Sequence, residues 1–286
     1  MNPIVSVIGL GAMGYAMAGR LSSTYDVIGY DVVDEQVDHA RQYITPAPSA
    51  AEAAAPAQVV VVSVRDAVQL NQVVESVRWT MTPGSALIVT STVGAPVVRA
   101  VESSLADRSV HLIDAPVSGG PVRASNGDLL VMVGASDDAL AVGSDVLDAL
   151  ASTIVVAGPV GSGQDLRTIN QLLCGIHTAA AAEALALAHA LELDLDQVVA
   201  VLGTGSAASF MLSDRGPRIA QQLLGEEPAV RSRLDLIAAD MGLVGDLTRQ
   251  FHLATPVAAA AEQLFRMGVA VGLESEDDSV IAALMG

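Results

Sequence analysis

The first thirty residues constrain the fold more than any other part of the chain. A β-branched run, Ile4–Ile8, leads into the glycine-rich turn Gly9–Gly14 and then into a segment with helical spacing. In a GxGxxG turn the first glycine permits the bend, the second lets the backbone approach a pyrophosphate, and the third lets the helix pack on the strand. A second apolar run, Val27–Tyr30, ends at Asp31, about twenty residues beyond the turn. The pattern is weak alone, but this order predicts a dinucleotide-binding βαβ unit.

The acidic residue after the second run bears on the choice of dinucleotide. A carboxylate at Asp31 accepts hydrogen bonds from an adenosine ribose and repels a ribose 2′-phosphate. Asp34 and Glu35 follow closely and add negative charge. The sequence therefore predicts NAD in preference to NADP. The loop residues expected to contact this cofactor are Gly9, Leu10, Gly11, Ala12, Met13 and Gly14.

Five later apolar runs extend the pattern, separated by segments with helical spacing. They are Gln58–Val64, Ala86–Thr90, Val110–Ile113, Leu129–Val133 and Thr153–Val156. Continuous runs of this kind are typical of parallel strands covered by helices on both faces. We therefore predict an α/β fold with a doubly wound, Rossmann-type sheet over residues 1–161.

Ligands of such a sheet collect beyond the carboxyl ends of its strands. Ser91-Thr92 and Ser118-Gly119-Gly120 both fall there. A Ser-Gly-Gly turn offers a hydroxyl and accessible backbone amides, which suits the carboxylate or hydroxyl of a small acid. An ordinary turn is the alternative explanation.

A long helix is predicted over residues 162–193, between the sheet and the remainder of the chain. The segment lacks proline, is rich in alanine and leucine, and is apolar on nearly every face beyond Gln171. We therefore expect protein to cover it on all sides. A membrane span is the alternative, but Glu183 and Glu192 interrupt the run. Arg167, Asn170 and Gln171 fall broadly on one side of its first turns, which predicts a pocket there.

Residues 194–286 show helical spacing and no convincing strand, so a second, all-helical domain is expected. The predicted helices are Leu195–Leu202, Pro217–Leu224, Arg231–His252 and Pro256–Leu273. The acidic stretch Glu274–Asp278 is expected to be a solvated loop before a short terminal helix.

Composition narrows the possible partners and compartment. A formal charge of −18 disfavours nucleic acid and anionic membrane surfaces. The single cysteine, Cys174, cannot form an internal disulfide and is expected in the core, and the start of the chain has no basic, apolar leader. These features predict a cytoplasmic protein. No pattern predicts a metal site.

All fourteen basic residues are arginine, which excludes any mechanism that needs a lysine amine.

Taken together, these motifs resemble the β-hydroxyacid dehydrogenase family over essentially the whole chain. The resemblance rests on Gly9–Gly14, Ser91-Thr92, Asp114–Gly120, Gly161–Gln164 with Asn170-Gln171, and Leu234-Asp-Leu with Asp240. Asn170–His177, Arg215–Arg218 and Glu276–Ser279 look most like its L-threonate dehydrogenase branch. This similarity implies a small hydroxy acid as substrate, either a sugar acid such as threonate or erythronate or an acid of the 3-hydroxyisobutyrate type. It also implies a homodimer or homotetramer built through the C-terminal helices.

The resemblance also implies roles for individual residues. Substrate contacts would come from Ser118, Gly119, Gly120, Gln171, Phe210 and Asp240, with Phe210 closing the pocket. Thr92 would lie beside the nicotinamide, with Val64 as a further cofactor contact. Arg167 and Asn170 would be catalytic.

Two family lysines are absent: the catalytic one is Arg167 here, and the one before Asp240 is Ala239. Arginine keeps its proton because its pKa exceeds about 12, yet it can hold a carboxylate and polarise a carbonyl. Three hypotheses follow. The first is an NAD-dependent hydroxy acid dehydrogenase in which water or His177 takes the proton. The second is an imine reductase-like enzyme, and the third is a cofactor-binding protein without turnover.

Overall fold

The computed structural model describes residues 2–285, which form two compact units. The first runs up to Arg167 and the second begins at Thr168. The long helix predicted from the sequence contributes its first six residues to the first unit and its remainder to the second.

The first unit contains a nine-stranded sheet. Its strands are β1 (Ile4–Ile8), β2 (Asp26–Tyr30), β3 (Thr45–Pro46), β4 (Val59–Val62), β5 (Ala86–Val89), β6 (His111–Asp114), β7 (Val117–Ser118), β8 (Leu129–Gly134) and β9 (Ala151–Gly158). The order is β3-β2-β1-β4-β5-β6-β8-β7, with β9 on β8. Pairing is parallel from β3 through β6 and between β8 and β9, whereas β8 runs antiparallel to β6 and β7.

Seven α-helices of the first unit connect these strands. They are α1 (Ala12–Leu21), α2 (Asp34–Ala40), α3 (Ala50–Ala54), α4 (Ala67–Val77), α5 (Ala95–Leu105), α6 (Gly120–Asn126) and α7 (Asp137–Leu150). Alternate strand residues enter two separate cores: Val59 and Val61 pack in one, and Val60 and Val62 in the other. Because side chains of a strand alternate between its faces, helices must cover both faces of the sheet. The predicted Rossmann-type fold is confirmed. The sequence did not predict β3 and β7, because two-residue strands carry no periodic signal.

The second unit is helical. After α8 (Ser162–Ala190) come α9 (Leu195–Leu202), α10 (Phe210–Leu223), α11 (Leu234–Gln250), α12 (Pro256–Ala270) and a 3₁₀ helix (Asp278–Leu284). The predicted start of α10 at Pro217 is wrong, since the helix begins at Phe210 and continues through this proline. Ser209 caps it by accepting a hydrogen bond from the Leu212 amide, which starts the helix two turns before the proline.

The acidic stretch Glu274–Asp278 is solvated only in part: Glu274 and Glu276 are exposed as the sequence predicted, but the two aspartates are not. Asp277 and Asp278 are buried, 1% and 0% exposed, and they pair with two arginines of α10. Arg218 Nε donates to Asp277 Oδ1 at 2.9 Å, and Arg215 Nη2 donates to Asp278 Oδ2 at 2.9 Å. Burial of these carboxylates is possible because each faces a guanidinium group.

The long helix is also less enclosed than expected. Ile169, Leu173 and Leu187 expose 57%, 47% and 63% of their surfaces. The expectation that protein of this chain covers every face of α8 is therefore wrong. Its length and composition would allow α8 to cross a membrane, a property that core helices of soluble proteins share. Its polar contacts, described below, are typical of a helix packed within a protein.

Candidate active site

The glycine-rich loop between β1 and α1 has the shape that a dinucleotide needs. Gly9 has φ +88°, and a Cβ there would collide with the Ser63 carbonyl, whereas a Cβ at Gly14 would collide with Gly9. Gly11 differs: it is exposed, and no atom lies within 4 Å of the position that a Cβ would occupy. Gly11 is also the N-cap residue of α1, and no side chain there accepts a hydrogen bond from the first amides of the helix. The loop therefore presents an open helix N-terminus that fits a pyrophosphate.

Asp31 lies at the end of β2, next to this loop. Its Oδ2 accepts a hydrogen bond from the Leu10 amide at 2.6 Å, and its Oδ1 accepts one from the Val33 amide at 2.9 Å. The carboxylate thus fixes the loop, and its contact with an adenosine ribose stays a prediction. Each oxygen keeps a second lone pair for another donor.

Val64, Thr92 and Arg167 lie at the carboxyl ends of β4 and β5 and the start of α8. The Val64 amide donates to Ser91 Oγ at 2.8 Å, which ties the segment after β4 to the segment after β5. Arg167 is half-buried, and its Nε donates to Thr92 Oγ1 at 3.3 Å. The first unit therefore brings together two of the residues predicted for cofactor and substrate chemistry.

The Gln164 side chain joins several segments of this region by hydrogen bonds, although the sequence did not predict it as a site residue. Its Oε1 accepts from the amides of Val93 and Gly94, both at 2.9 Å. Its Nε2 donates to the Ser91 carbonyl and to Asp114 Oδ1, both at 2.9 Å. Its inclusion in the Gly161–Gln164 motif was the only available signal.

Asp114 joins the end of β6 to the start of α8. It is fully buried, and its Oδ2 accepts from the amides of Gly161 and Gln164, both at 3.0 Å. Burial raises the pKa of Asp114 to about 6, although the hydrogen bonds from Gln164, Gly161 and Gly163 favour its charged form. The Asp114 side chain thus accepts hydrogen bonds from backbone amides at the start of the long helix, where amides have no partner within the helix.

The Ser118-Gly119-Gly120 turn connects β7 to α6. Gly119 and Gly120 have φ of +139° and +75°, conformations that side chains with a Cβ rarely adopt. No atom lies within 4 Å of the Cβ position at Gly120, so the space beside this backbone is open. The turn can accommodate a small ligand close to its main chain.

The remaining predicted site residues lie in the second unit. Gln171 Nε2 donates to the Asp240 carboxylate, which ties α8 to α11. Cys174 is half-buried and donates weakly from its thiol to Asn170 Oδ1 at 3.7 Å. Phe210 begins α10 and is 63% exposed. Within residues 2–285 no group of three or more potential ligands could hold a metal ion.

Two family models match almost the whole chain. The NAD binding domain of 6-phosphogluconate dehydrogenase matches residues 4–158. The model described as NAD-binding of NADP-dependent 3-hydroxyisobutyrate dehydrogenase matches residues 161–285.

Individual relatives agree with these matches. An L-threonate dehydrogenase from Cupriavidus necator is 34% identical over 98% of this chain and 95% of its own length. A crystal structure of 3-hydroxyisobutyrate dehydrogenase from Salmonella typhimurium superposes with a TM-score of 0.91 at 31% identity, covering 99% of this chain and 100% of the other. An imine reductase from Streptomyces aurantiacus reaches a TM-score of 0.68 at 21% identity, with 99% of each chain covered. At that identity the likeness shows the fold alone.

A Rossmann-type sheet with an open glycine loop, joined to a helical unit that matches a dehydrogenase model, defines an NAD(P)-dependent oxidoreductase. The chain belongs to the β-hydroxyacid dehydrogenase family. This result favours the first of the three hypotheses, and the imine reductase-like alternative is not favoured.

Proposed function

We propose that this enzyme transfers a hydride between NAD and a small hydroxy acid of the threonate type. The main support is the contact between Arg167 and Thr92, 3.3 Å apart at the carboxyl end of β5. β1, β4 and β5 are parallel neighbours, so the glycine loop after β1 lies at the same end of the sheet, the carboxyl ends of its strands. Ligands of open α/β sheets bind at that end.

Arg167 supplies a permanent cation where the family has a lysine. In this proposal its guanidinium group binds the substrate carboxylate, or polarises the oxygen at the reacting carbon, while Thr92 Oγ1 limits its orientation. It does not accept a proton at neutral pH, because an arginine stays charged. The hydroxyl proton therefore leaves to water. His177 is a poor acceptor because it lies about 15 Å along α8 from Arg167.

When it is bound, the cofactor would accept the hydride that leaves the carbinol carbon of the substrate. Gly9–Gly14 would hold its pyrophosphate and Asp31 its adenosine ribose. The residues after Asp31 are Val32 and Val33, both exposed and uncharged, followed by Asp34 and Glu35. No cation in this segment would pair with a 2′-phosphate, which supports NAD over NADP.

Substrate contacts are proposed from the open turn and from the family positions of further residues. Ser118, Gly119 and Gly120 are half-buried and offer a hydroxyl and backbone amides in the first unit. Asn170, Gln171, Phe210 and Asp240 are proposed contacts from the second unit. The L-threonate dehydrogenase relative supports a sugar acid as the substrate class.

A homodimer or homotetramer built through the C-terminal helices is part of this proposal. Leu187, Val257 and Met267 lie on helices of the second unit and are 63%, 61% and 54% exposed. Association of copies would remove this apolar surface from water. Light scattering of the purified protein would reveal a monomer if the proposal is wrong.

The proposal is tested by measuring NADH formation on a panel of small hydroxy acids, including threonate and erythronate. Arg167→Met should lower kcat/KM by about 100-fold or more, while the Kd of NADH changes by less than about threefold. Arg167→Lys should introduce a titrating step into the pH–rate profile, because a lysine amine loses its proton in the accessible range. Arg41→Lys, at an exposed pair with Asp38, is the matched control.

Two outcomes would contradict the assignment. One is the absence of NADH formation on the whole panel at high enzyme concentration. The other is an Arg167→Met variant that turns over the preferred acid within threefold of the wild-type rate.

A further inference from the structure

We infer that Gln164 is a positioning residue for the reaction, because its carboxamide holds Thr92 in contact with Arg167. The inference rests on the proposed function, in which the Arg167–Thr92 pair orients the substrate. Gln164 itself is completely buried, so it acts through these two residues and does not contact substrate.

The first step of the argument is the arrangement of hydrogen bonds around Thr92. Gln164 Nε2 donates to the carbonyl of Ser91, and Oε1 accepts from the amides of Val93 and Gly94. One side chain thus binds the backbone on both sides of Thr92. All three distances are 2.9 Å, the ordinary length for such bonds. The direction of the Thr92 side chain is therefore set from α8.

The second step is the position of Gln164 on that helix. It precedes Arg167 by three residues, so the two side chains lie on the same face, one turn apart. The residue that fixes the Thr92 backbone and the residue that contacts Thr92 Oγ1 therefore share one rigid element. A shift of α8 relative to the segment after β5 would break bonds at both places.

The third step concerns the orientation of the amide. Its nitrogen must face Asp114 Oδ1 and the Ser91 carbonyl, since both are acceptors, and its oxygen must face the two amide donors. Asp114 is held in turn by the amides of Gly161 and Gln164. Glutamate cannot donate to these acceptors, and asparagine is one methylene too short to reach both sides of Thr92. The site therefore requires glutamine.

The variants to compare are Gln164→Met, Gln164→Glu and Gln164→Asn. Matched controls are Gln72→Met and Gln72→Glu, at an exposed position of α4 in the same unit. We expect Gln164→Met to lower kcat by about 10- to 100-fold, because small displacements of orienting groups reduce rates by this order. The Kd of NADH should change by less than about threefold, because Gly9–Gly14 does not depend on Gln164.

A double-mutant cycle separates positioning from a general structural role. If Gln164 acts through Thr92, then Gln164→Met should have little further effect on kcat in the Thr92→Ala background. If the losses of kcat from the two single substitutions multiply in the double variant, the inference is overturned. Equal losses of kcat and NADH affinity in Gln164→Met would overturn it as well. Gln164→Asn keeps the experiment informative should Gln164→Met fail to fold.

A readout without turnover keeps the two proposals distinguishable. Amide hydrogen exchange at Val93 and Gly94 should accelerate in Gln164→Met and not in Gln72→Met, because methionine offers these two amides no oxygen acceptor. A crystal structure of the variant should show Thr92 Oγ1 beyond hydrogen-bond distance of Arg167 Nε. Unchanged exchange or an unchanged distance overturns the positioning role. Absence of hydroxy acid oxidation by the wild type overturns only the proposed function.

Discussion

Replacing Arg218 by methionine should strongly destabilise the second unit. Arg218 is 5% exposed, and its Nε donates to Asp277 Oδ1 at 2.9 Å. Its Nη1 donates to the Asp214 carbonyl at 2.8 Å, and its Nη2 also pairs with the Asp214 carboxylate. Methionine retains much of the aliphatic volume but removes the charge and every donor. The buried carboxylate of Asp277 would lose the guanidinium group that faces it.

The loss of unfolding free energy depends on the hydrogen bonds that Asp277 keeps. Removing one partner of a buried ion pair costs about 3 to 5 kcal/mol. Asp277 would still accept from the amides of Arg231, Ser232 and Ser279, so the lower end of that range applies. A loss of about 3 kcal/mol corresponds to about a 150-fold change in the folding equilibrium. Arg218→Lys should fall in between, because it keeps the charge but loses the planar fork.

Urea denaturation followed by circular dichroism measures this change. The midpoint should fall by about 1 to 3 M at an unchanged slope. Arg249→Met is the control, because Arg249 and Asp246 form an exposed pair that contributes less than about 1 kcal/mol. If Arg218→Met unfolds within 1 kcal/mol of the control, the buried pair does not hold the C-terminal segment on α10.

Burial raises the pKa of Asp114 to about 6 from an ordinary 3.8, so the folded chain binds this proton more tightly. The contribution of Asp114 to the free energy of unfolding should therefore fall as the pH rises from about 4 to about 6. Denaturation at several pH values should show that Asp114→Asn abolishes this pH dependence. Gly14→Ala should lower Tm because its Cβ meets Gly9, whereas Gly11→Ala should keep Tm and weaken NADH binding about tenfold or more, by fluorescence titration. Equal effects of the two substitutions would refute this interpretation of the loop. Asp31→Ala should lower the ratio of kcat/KM for NAD over NADP by about tenfold, and an unchanged ratio would show that Asp31 serves the Leu10 amide alone.

Local signals were sufficient for much of the fold and part of the site. Uninterrupted valines predicted β4, and the glycine pattern predicted an open loop at Gly11, because each depends on residues close in sequence. Arg167 was predicted at the site from its place in a motif, and it contacts Thr92. Gln164 was missed because its importance comes from partners about fifty to seventy residues away.

The sequence by itself determined the alternation of strands and helices, the dinucleotide loop and the long helix, since periodicity and glycine stereochemistry act over a few residues. Only the tertiary structure decided that Asp277 and Asp278 are buried and that Pro217 lies inside a helix. It also decided that Gln164 holds the backbone around Thr92. For the two aspartates and for Gln164, the free energy depends on a partner distant in the chain. An acidic stretch is solvated when alone, but it can be buried once two arginines of another helix face it.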